Sequence, residues 1–124
     1  MNWIIAIVIG VVCVALFALK RMSFVSAEVA RKHLAEGALV IDVRSPEEFR
    51  SGHVANALNI PLAELRESLP RHVTDKRQVL LLHCLSGGRS GMAKQQLKGL
   101  GYQNVFNLGS YGRARQIVEG GLDR

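Results

Sequence analysis

The sequence predicts an α/β fold, an open and mostly parallel β-sheet with helices on both faces, preceded by one transmembrane helix. Two observations predict the sheet. Short apolar segments alternate with helical segments throughout the second part of the chain. Val79–Leu82 is apolar at four consecutive positions, which is typical of a parallel strand buried on both faces. The third observation is that residues 1–19 carry no charged side chain. A chain of 124 residues has room for one span and one domain.

The N-terminal segment, residues 1–20, is predicted to be a membrane anchor. Trp3–Leu19 is apolar apart from Gly10, and a helix spans a bilayer with roughly 17–25 such residues. A cleaved signal peptide is the alternative. No basic residue precedes the apolar run and no Ala-x-Ala follows it, which argues against cleavage.

The charge distribution predicts the orientation of this anchor. Lys20 and Arg21 follow the apolar run directly, and Arg31 and Lys32 come soon after. Positive charge accumulates on the cytoplasmic side of membrane helices. We therefore expect a single-pass protein with its N-terminus outside and the domain of residues 23–124 in the cytoplasm.

The first half of this domain is expected to alternate helices and strands. Ser26 can cap a helix that Gly37 ends. Pro46 can open a brief helical turn. The predicted elements in order are the helix Ala27–Glu36, the strand Leu39–Val43, the turn Pro46–Phe49 and the strand Ala57–Ile60.

The second half repeats the alternation around the central strand. Pro70 and Asp75 are assigned to a turn before that strand, and Ser90 is expected to cap the helix after it, with Gly101 as the stop. The predicted elements are the helix Leu62–Leu69, the strand Val79–Leu82, the helix from Ser90 to Leu100, the strand Asn104–Leu108, a loop Gly109–Gly112 and a helix Arg113–Glu119.

The candidate site is the loop after the central strand. Cys84 stands at the strand end, and glycines let the following backbone point several N–H groups into one small volume. Such a nest at a helix N-terminus stabilises a thiolate and binds an anion beside it. Arg89 supplies a permanently charged donor. The candidate catalytic residue is Cys84, and the candidate substrate-binding residues are Leu85, Ser86, Gly87, Gly88, Arg89 and Ser90.

With these residues, the chain resembles the rhodanese family of sulfurtransferases. Cys84, Gly87, Arg89 and Ser90 match the C-x-x-G-x-R-S active loop. Two further boxes match in the family's order: D-V-R-x-x-x-E-[FY] at residues 42–49 and G-H-I-x-G-A-x-N-I-P at residues 52–61. The resemblance covers roughly Ser23 to Gly120.

The resemblance implies a rhodanese-like fold and a persulfide carried on Cys84. Sulfur would come from a donor such as thiosulfate, with Arg89 holding its sulfonate end, and would leave to a thiol, cyanide or protein acceptor in a second half-reaction. It implies no cofactor and no metal. Asp42 and Arg44, in the first box, are then structural, and so is His53 in the second.

Two other functions stay open. A non-catalytic rhodanese-like module could hold a partner at the membrane, although an intact active loop weighs against it. The pair His83–Cys84 before a Gly-rich loop is also similar to Cys-dependent phosphatases and arsenate reductases. Only four residues separate Cys84 from Arg89, however, whereas tyrosine phosphatases have five, and Asp75 is the only unassigned candidate for a general acid. His83 is interpreted as a packed strand residue.

The composition limits the partners. The net charge of +6 follows from 16 basic and 10 acidic residues, but the basic residues are scattered, so nucleic acid is not expected as a partner. A lipid bilayer fits better, because basic residues follow the span. Only Cys13 and Cys84 exist, which excludes a disulfide framework, and the four histidines show no metal-ligand spacing.

Three departures from the family pattern bear on substrate and packing. Leu85 replaces a residue that is often basic or polar, which favours a protein or hydrophobic acceptor over a small anion. Asn56 replaces a glycine and is expected to adopt a positive φ. The family's Gly-Gly pair and the tryptophan after it are replaced by Ser110-Tyr111 and then Arg115, so the packing of the last helix and any partner surface on it stay open.

Overall fold

The computed structural model describes residues 2–120, apart from the side chains of residues 20–22. The first residue of the predicted anchor and the last four of the predicted domain therefore lie outside the described residues. Six helices, four strands and one 3-10 turn make up this part of the chain. They are α1 (Asn2–Met22), α2 (Ala27–Ala35), β1 (Leu39–Asp42), α3 (Pro46–Ser51), β2 (Leu58–Asn59), the 3-10 turn Leu62–Glu64, α4 (Leu65–His72), β3 (Leu80–His83), α5 (Gly88–Gly99), β4 (Val105–Gly109) and α6 (Tyr111–Gly120).

The four strands form one parallel sheet in the order β2-β1-β3-β4. Asp42 at the end of β1 pairs with Asn59 of β2 and with His83 of β3, so the carboxyl ends of these strands lie at one edge. Ligands bind beyond this edge in open α/β sheets. The predicted fold class is confirmed, and the loop after β3 lies where a site is expected.

A hydrophobic core covers each face of the sheet. Leu80 and Leu82 pack on one face with α4 and α5, whereas Leu81 packs on the other with α2 and α6. All three leucines are fully buried, and each such side chain stabilises the fold by about 1.5–3 kcal/mol. The unbroken apolar run of the central strand thus reflects burial on both faces.

Several predicted details of local structure are confirmed. Ser26 Oγ accepts a 3.2 Å hydrogen bond from the Val29 N–H at the start of α2. Asn56 has a φ of 63° and is the only described residue other than glycine with a positive φ. Gly101 follows α5 with a φ of 99°, as expected of a helix stop.

Two predicted element boundaries are wrong. Pro70 lies inside α4 and not in a turn, because Leu65 and Leu69 are fully buried on one face of that helix while proline removes only one backbone donor. The last helix begins at Tyr111, within the predicted loop. Ser110 Oγ accepts a 3.1 Å hydrogen bond from the Arg113 N–H and so caps α6 two residues earlier than expected.

The apolar window of the N-terminal helix α1 is exposed along its whole length. The window Asn2–Leu19 has a mean hydropathy of 2.7, and none of it is buried. By length and composition this helix can cross a bilayer, and a signal sequence shares the same features. The predicted helix is confirmed, whereas its retention in a membrane stays a prediction.

Candidate active site

Cys84 is the first residue after β3, and its side chain is fully buried beneath the loop that follows. The Gly87 N–H donates a 3.0 Å hydrogen bond to Cys84 Sγ. Ser90 Oγ lies 3.5 Å from the same sulfur. The predicted loop residues thus curl around one thiol.

Two opposing effects act on the pKa of this thiol. Burial raises the pKa of Cys84, while the Ser90 hydroxyl and the backbone N–H groups of Ser90, Gly87 and Ser86 lower it. The net direction is downward from the ordinary value of 9.0. Fixed N–H dipoles that favour the anion are the means by which a loop activates a cysteine without a basic partner.

The loop becomes a helix earlier than predicted. The helix α5 begins at Gly88 after Gly87, which has a φ of 100° and lies in the left-handed region. Ser90 is therefore the third helical residue and not the cap, which corrects the sequence-based prediction. Because the early start places the N-terminus of α5 at the sulfur, the helix dipole adds to the stabilisation of a thiolate.

Asn107 of β4 holds this loop in place, a role that the sequence analysis did not predict. Its Oδ1 accepts hydrogen bonds from the Ser90 hydroxyl at 2.7 Å and from the Gly109 N–H at 2.9 Å. Its Nδ2 donates to the Gly87 carbonyl at 3.1 Å. Asn107 is 97% buried, so one amide satisfies three groups of the loop and strand end that water does not reach.

Phe24 supports the same loop from the N-terminal side. Its ring leaves no room for a side chain at Gly87 or Gly109. A Cβ atom at these positions would lie 2.7 Å and 2.9 Å from the nearest ring carbons. Both glycines also have positive φ angles. The backbone of Phe24 bridges to Asn107, and the Val25 N–H donates to the Asn107 carbonyl at 2.9 Å. A short segment just after α1 is therefore part of the foundation of the loop.

Arg89 is held by a residue of the first sequence box. Its Nη1 and Nη2 donate to the two carboxylate oxygens of Glu48 at 2.7 and 2.9 Å. Arg89, together with hydrogen bonds from Ser45, lowers the pKa of Glu48 from 4.5 to about 2. Ser45 and Glu48 form a capping box at the start of α3, which fixes the carboxylate. Glu48 belongs to the first sequence box, but that pattern alone does not predict its contact with Arg89.

The first box is structural, as predicted. Arg44 forms an ion pair with Asp42 at 2.7 Å, with both side chains buried, and donates a further 2.8 Å hydrogen bond to the Gly52 carbonyl. The Arg44 guanidinium also lies 4.5 Å from the centre of the Tyr111 ring. His53 stacks on Phe49 at 3.8 Å and is bonded to its carbonyl, in agreement with a structural role.

His83 is fully buried, which confirms the prediction of a packed strand residue. Burial lowers its pKa, so the ring is neutral at pH 7. Its Nε2 lies 3.8 Å from Asp42 Oδ2 and has no hydrogen-bond partner among the described residues. Its Nδ1 lies 3.4 Å from the Cys84 carbonyl oxygen.

The rim of the loop is open to solvent and partly apolar. Leu85 is 57% exposed, and its carbonyl accepts a 3.2 Å hydrogen bond from the Tyr111 N–H. Ser86 pairs with Ser110 across the rim. Beside it lies a cavity of about 410 Å³ that is lined by Arg44, Glu48, Ser51, Gly52, His53, Tyr111 and Arg115. Within residues 2–120, no three histidine, cysteine or acidic side chains cluster as metal ligands.

The predicted site residues are therefore brought together around Cys84, except that Leu85 is turned to solvent and Arg89 is engaged by Glu48. The arrangement places a thiol, whose pKa the surrounding donors lower, beneath several N–H groups and beside the cation of Arg89. Such a site can attack an electrophilic sulfur and hold an anionic product.

Comparisons with known proteins agree with this geometry. The family model described as "Rhodanese-like domain" matches residues 26–112. "Thiosulfate sulfurtransferase PspE" of Escherichia coli is 44% identical over 69 residues, which cover 56% of this chain and 66% of that protein. The chain thus spans about two thirds of this relative.

Two solved structures are similar in fold as well as sequence. A structure titled "rhodanese with anions from E. coli" is 39% identical with a TM-score of 0.60, covering 62% of this chain and 91% of that one. The human single-domain sulfurtransferase TSTD1 is 31% identical with a TM-score of 0.62, covering 78% of this chain and 96% of that one.

Proposed function

The chain belongs to the rhodanese-like family, and on that premise we propose that it is a membrane-anchored sulfurtransferase that carries sulfane sulfur as a persulfide on Cys84. The observation that carries the proposal is the environment of the Cys84 sulfur. It lies 3.0 Å from the Gly87 N–H, beneath a loop whose donors lower the pKa of the thiol. A thiolate is the form of cysteine that attacks sulfur.

The first half-reaction loads the cysteine. The Cys84 thiolate attacks the outer, sulfane sulfur of thiosulfate, a bond forms between the two sulfurs, and the S–S bond of thiosulfate breaks. Its electron pair leaves with sulfite, and Cys84 carries a persulfide anion. The charge is the same before and after, so no proton donor is needed. The loop N–H groups that stabilise the thiolate also stabilise the persulfide anion.

The second half-reaction unloads it. A nucleophilic acceptor such as cyanide attacks the outer sulfur of the persulfide, and the Cys84 thiolate leaves with the electron pair of the broken S–S bond. A thiol or a protein cysteine can take the place of cyanide. The same loop N–H groups serve as donors to the sulfur in both half-reactions. Double-displacement kinetics follow, because the donor product departs before the acceptor reacts.

Arg89 is suited to the anionic end of the donor. Its Nη1 and Nη2 are bonded to Glu48, while its Nε has no hydrogen-bond partner among the described residues. The ion pair fixes the plane of the guanidinium and leaves the Nε–H and one N–H on each terminal nitrogen for a sulfonate or sulfite oxygen. The name thiosulfate sulfurtransferase for one relative, and the mention of anions for another, support a small anionic donor.

Retention of α1 in a bilayer, with the domain in the cytoplasm, is the second part of the proposal. The apolar window Asn2–Leu19 and the basic residues after it support this topology. A reducing compartment would keep Cys84 free to react, since both cysteines are unpaired.

The test is the intact mass of the detergent-solubilised full chain after incubation with thiosulfate. We expect a gain of one sulfur atom, which cyanide removes as thiocyanate. Cys13→Ser should behave like the wild type, and Cys84→Ser should gain nothing. A folded wild-type chain with a free thiol that gains no sulfur would contradict the proposal for this donor. In that case a non-catalytic binding role would be favoured, and phosphatase and arsenate reductase assays would follow.

A further inference from the structure

The anchor and the active loop are joined by a very short connection. The helix α1 ends at Met22, and the ring of Phe24, two residues later, fills the space beside Gly87 and Gly109. Two residues of extended chain reach at most about 7 Å. The Gly87 N–H is in turn 3.0 Å from the Cys84 sulfur. The end of α1 is therefore linked to the loop that covers the Cys84 sulfur through a single side chain, that of Phe24.

This connection is fixed to the domain. The Val25 N–H donates to the Asn107 carbonyl at 2.9 Å, and Arg113 Nη2 donates to the Val25 carbonyl at 2.6 Å. The Arg113 guanidinium also lies 5.6 Å from the centre of the Phe24 ring. These contacts join Phe24 and Val25 to β4 and α6. The domain cannot swing far from the end of α1 without breaking them.

Two exposed apolar side chains lie in the loop and shortly after it. Leu85, next to Cys84, is 57% exposed, and Met92, in the second turn of α5, is 58% exposed. Outside α1, no other large hydrophobic side chain of the described residues is more than 42% exposed. We refer to Leu85 and Met92 together as the loop rim. Burial of such side chains at a lipid interface is favourable by about 25 cal/mol per Å² of apolar area.

From these observations we propose that the loop rim rests on the bilayer in which α1 is embedded, so that Cys84 exchanges sulfur at the membrane surface. The partner of this surface is lipid. This inference rests on the proposed retention of α1 in the membrane. It goes beyond that proposal because a span by itself would allow the active loop to face the aqueous phase, away from the lipid.

Fluorescence quenching tests the position of the rim. The full chain, with Cys13→Ser and Cys84→Ser, receives one cysteine at Leu85, Met92 or Gln103, each labelled with an environment-sensitive fluorophore. Gln103 is the matched control, since it is exposed and lies just before β4, at the opposite end of the sheet from the loop. Each protein is placed in phosphatidylcholine–phosphatidylglycerol vesicles that contain a nitroxide-headgroup lipid.

We expect the labels at residues 85 and 92 to lose more than half of their emission, and the label at Gln103 to lose little. Equal quenching at all three positions, or stronger quenching at Gln103, in a chain that floats with the vesicles would overturn the proposal and leave the anchor intact. A chain that does not float with the vesicles would overturn both. The sulfur-loading assay on the Cys13→Ser chain reports separately on the proposed chemistry, so failure of that function is distinguishable.

Discussion

Ser90 Oγ lies 2.7 Å from Asn107 Oδ1, and the hydroxyl donates its hydrogen to that amide oxygen. The same Oγ is 3.5 Å from the Cys84 sulfur. A hydroxyl has one hydrogen, so these two acceptors and the Gly87 carbonyl oxygen, at 3.1 Å, compete for it. When the thiol ionises, the stronger, charged acceptor is the sulfur. Asn107 therefore holds the Ser90 hydroxyl beside the Cys84 sulfur. When the sulfur becomes negatively charged, the hydroxyl can turn from Asn107 and donate its hydrogen bond to the sulfur.

Removal of this hydroxyl should raise the pKa of Cys84. In a Cys13→Ser background, Ser90→Ala leaves the backbone donors in place but removes a hydrogen bond to the thiolate. We expect the pKa to rise, because a hydrogen bond that favours the thiolate over the thiol is lost. The measurement is the rate of alkylation by iodoacetamide as a function of pH. Ser90→Thr, which keeps a hydroxyl, is the matched control, and an unchanged midpoint in Ser90→Ala would contradict the assigned role.

The pair Arg89–Glu48 should make stability depend on acid. The pKa of Glu48 is lowered in the folded chain from 4.5 to about 2, so its stabilisation is complete above the unfolded value and is lost as the pH falls from 4.5 towards 2. Thermal unfolding of the solubilised chain between pH 6 and pH 2 measures this. Glu48→Gln should unfold at a lower temperature at pH 6 and lose less stability on acidification. If the unfolding temperature falls equally steeply with pH in the wild type and in Glu48→Gln, another carboxylate is responsible for the acid dependence.

Gly87→Ala should disrupt the active loop. The added Cβ would lie 2.7 Å from the Phe24 ring, and φ at this position is 100°. We expect a loss of about 1–3 kcal/mol of stability and a loss of sulfur loading that exceeds the effect on folding. Circular dichroism and the intact-mass assay give the two quantities. Gly88→Ala is the control, because its Cβ meets only Ser86 Oγ at 4.0 Å and its φ is not positive. The prediction fails if the two alanine variants behave alike.

Leu85→Arg should increase turnover with thiosulfate. The side chain at this position is exposed at the rim of the loop, where an added cation would attract a dianionic donor. We expect kcat/KM for thiosulfate to rise several-fold at low ionic strength and the gain to diminish with added salt. Leu85→Gln removes the apolar surface without adding charge and should show no such salt-dependent gain. An arginine variant with wild-type kinetics would contradict the idea that Leu85 disfavours small anions.

Local signals in the sequence were sufficient for the main architecture. The apolar run of β3, the cap at Ser26, the positive φ of Asn56 and the grouping of the loop around Cys84 all depend on neighbouring residues, and each is confirmed. Such features follow from periodicity and from the conformational preferences of single residues. Two element boundaries nevertheless differ from those predicted. Pro70 lies inside α4 instead of after it, and the cap at Ser110 starts α6 earlier than predicted.

The supports of the site could not be predicted in this way. Arg89 and Glu48 are 41 residues apart, and Ser90 and Asn107 are 17 apart. The order of the strands brings these partners together, and no local pattern specifies which polar residue of β4 faces the loop. Phe24 was missed for a similar reason, since an aromatic residue after an apolar helix carries no signal that it contacts two glycines of the domain.

The position of Phe24 also determines where the rhodanese-like domain can be separated from α1. The family match runs from residue 26 to residue 112 and so excludes both Phe24 and the buried Ala114, Ile117 and Val118 of α6. A truncated protein with those limits would lose the ring that fills the space beside Gly87 and the helix that covers one face of the sheet. A version without α1 that keeps this loop packed has to begin before Phe24 and continue through α6. The packed domain therefore extends beyond residues 26–112 at both ends, to include Phe24 and the whole of α6.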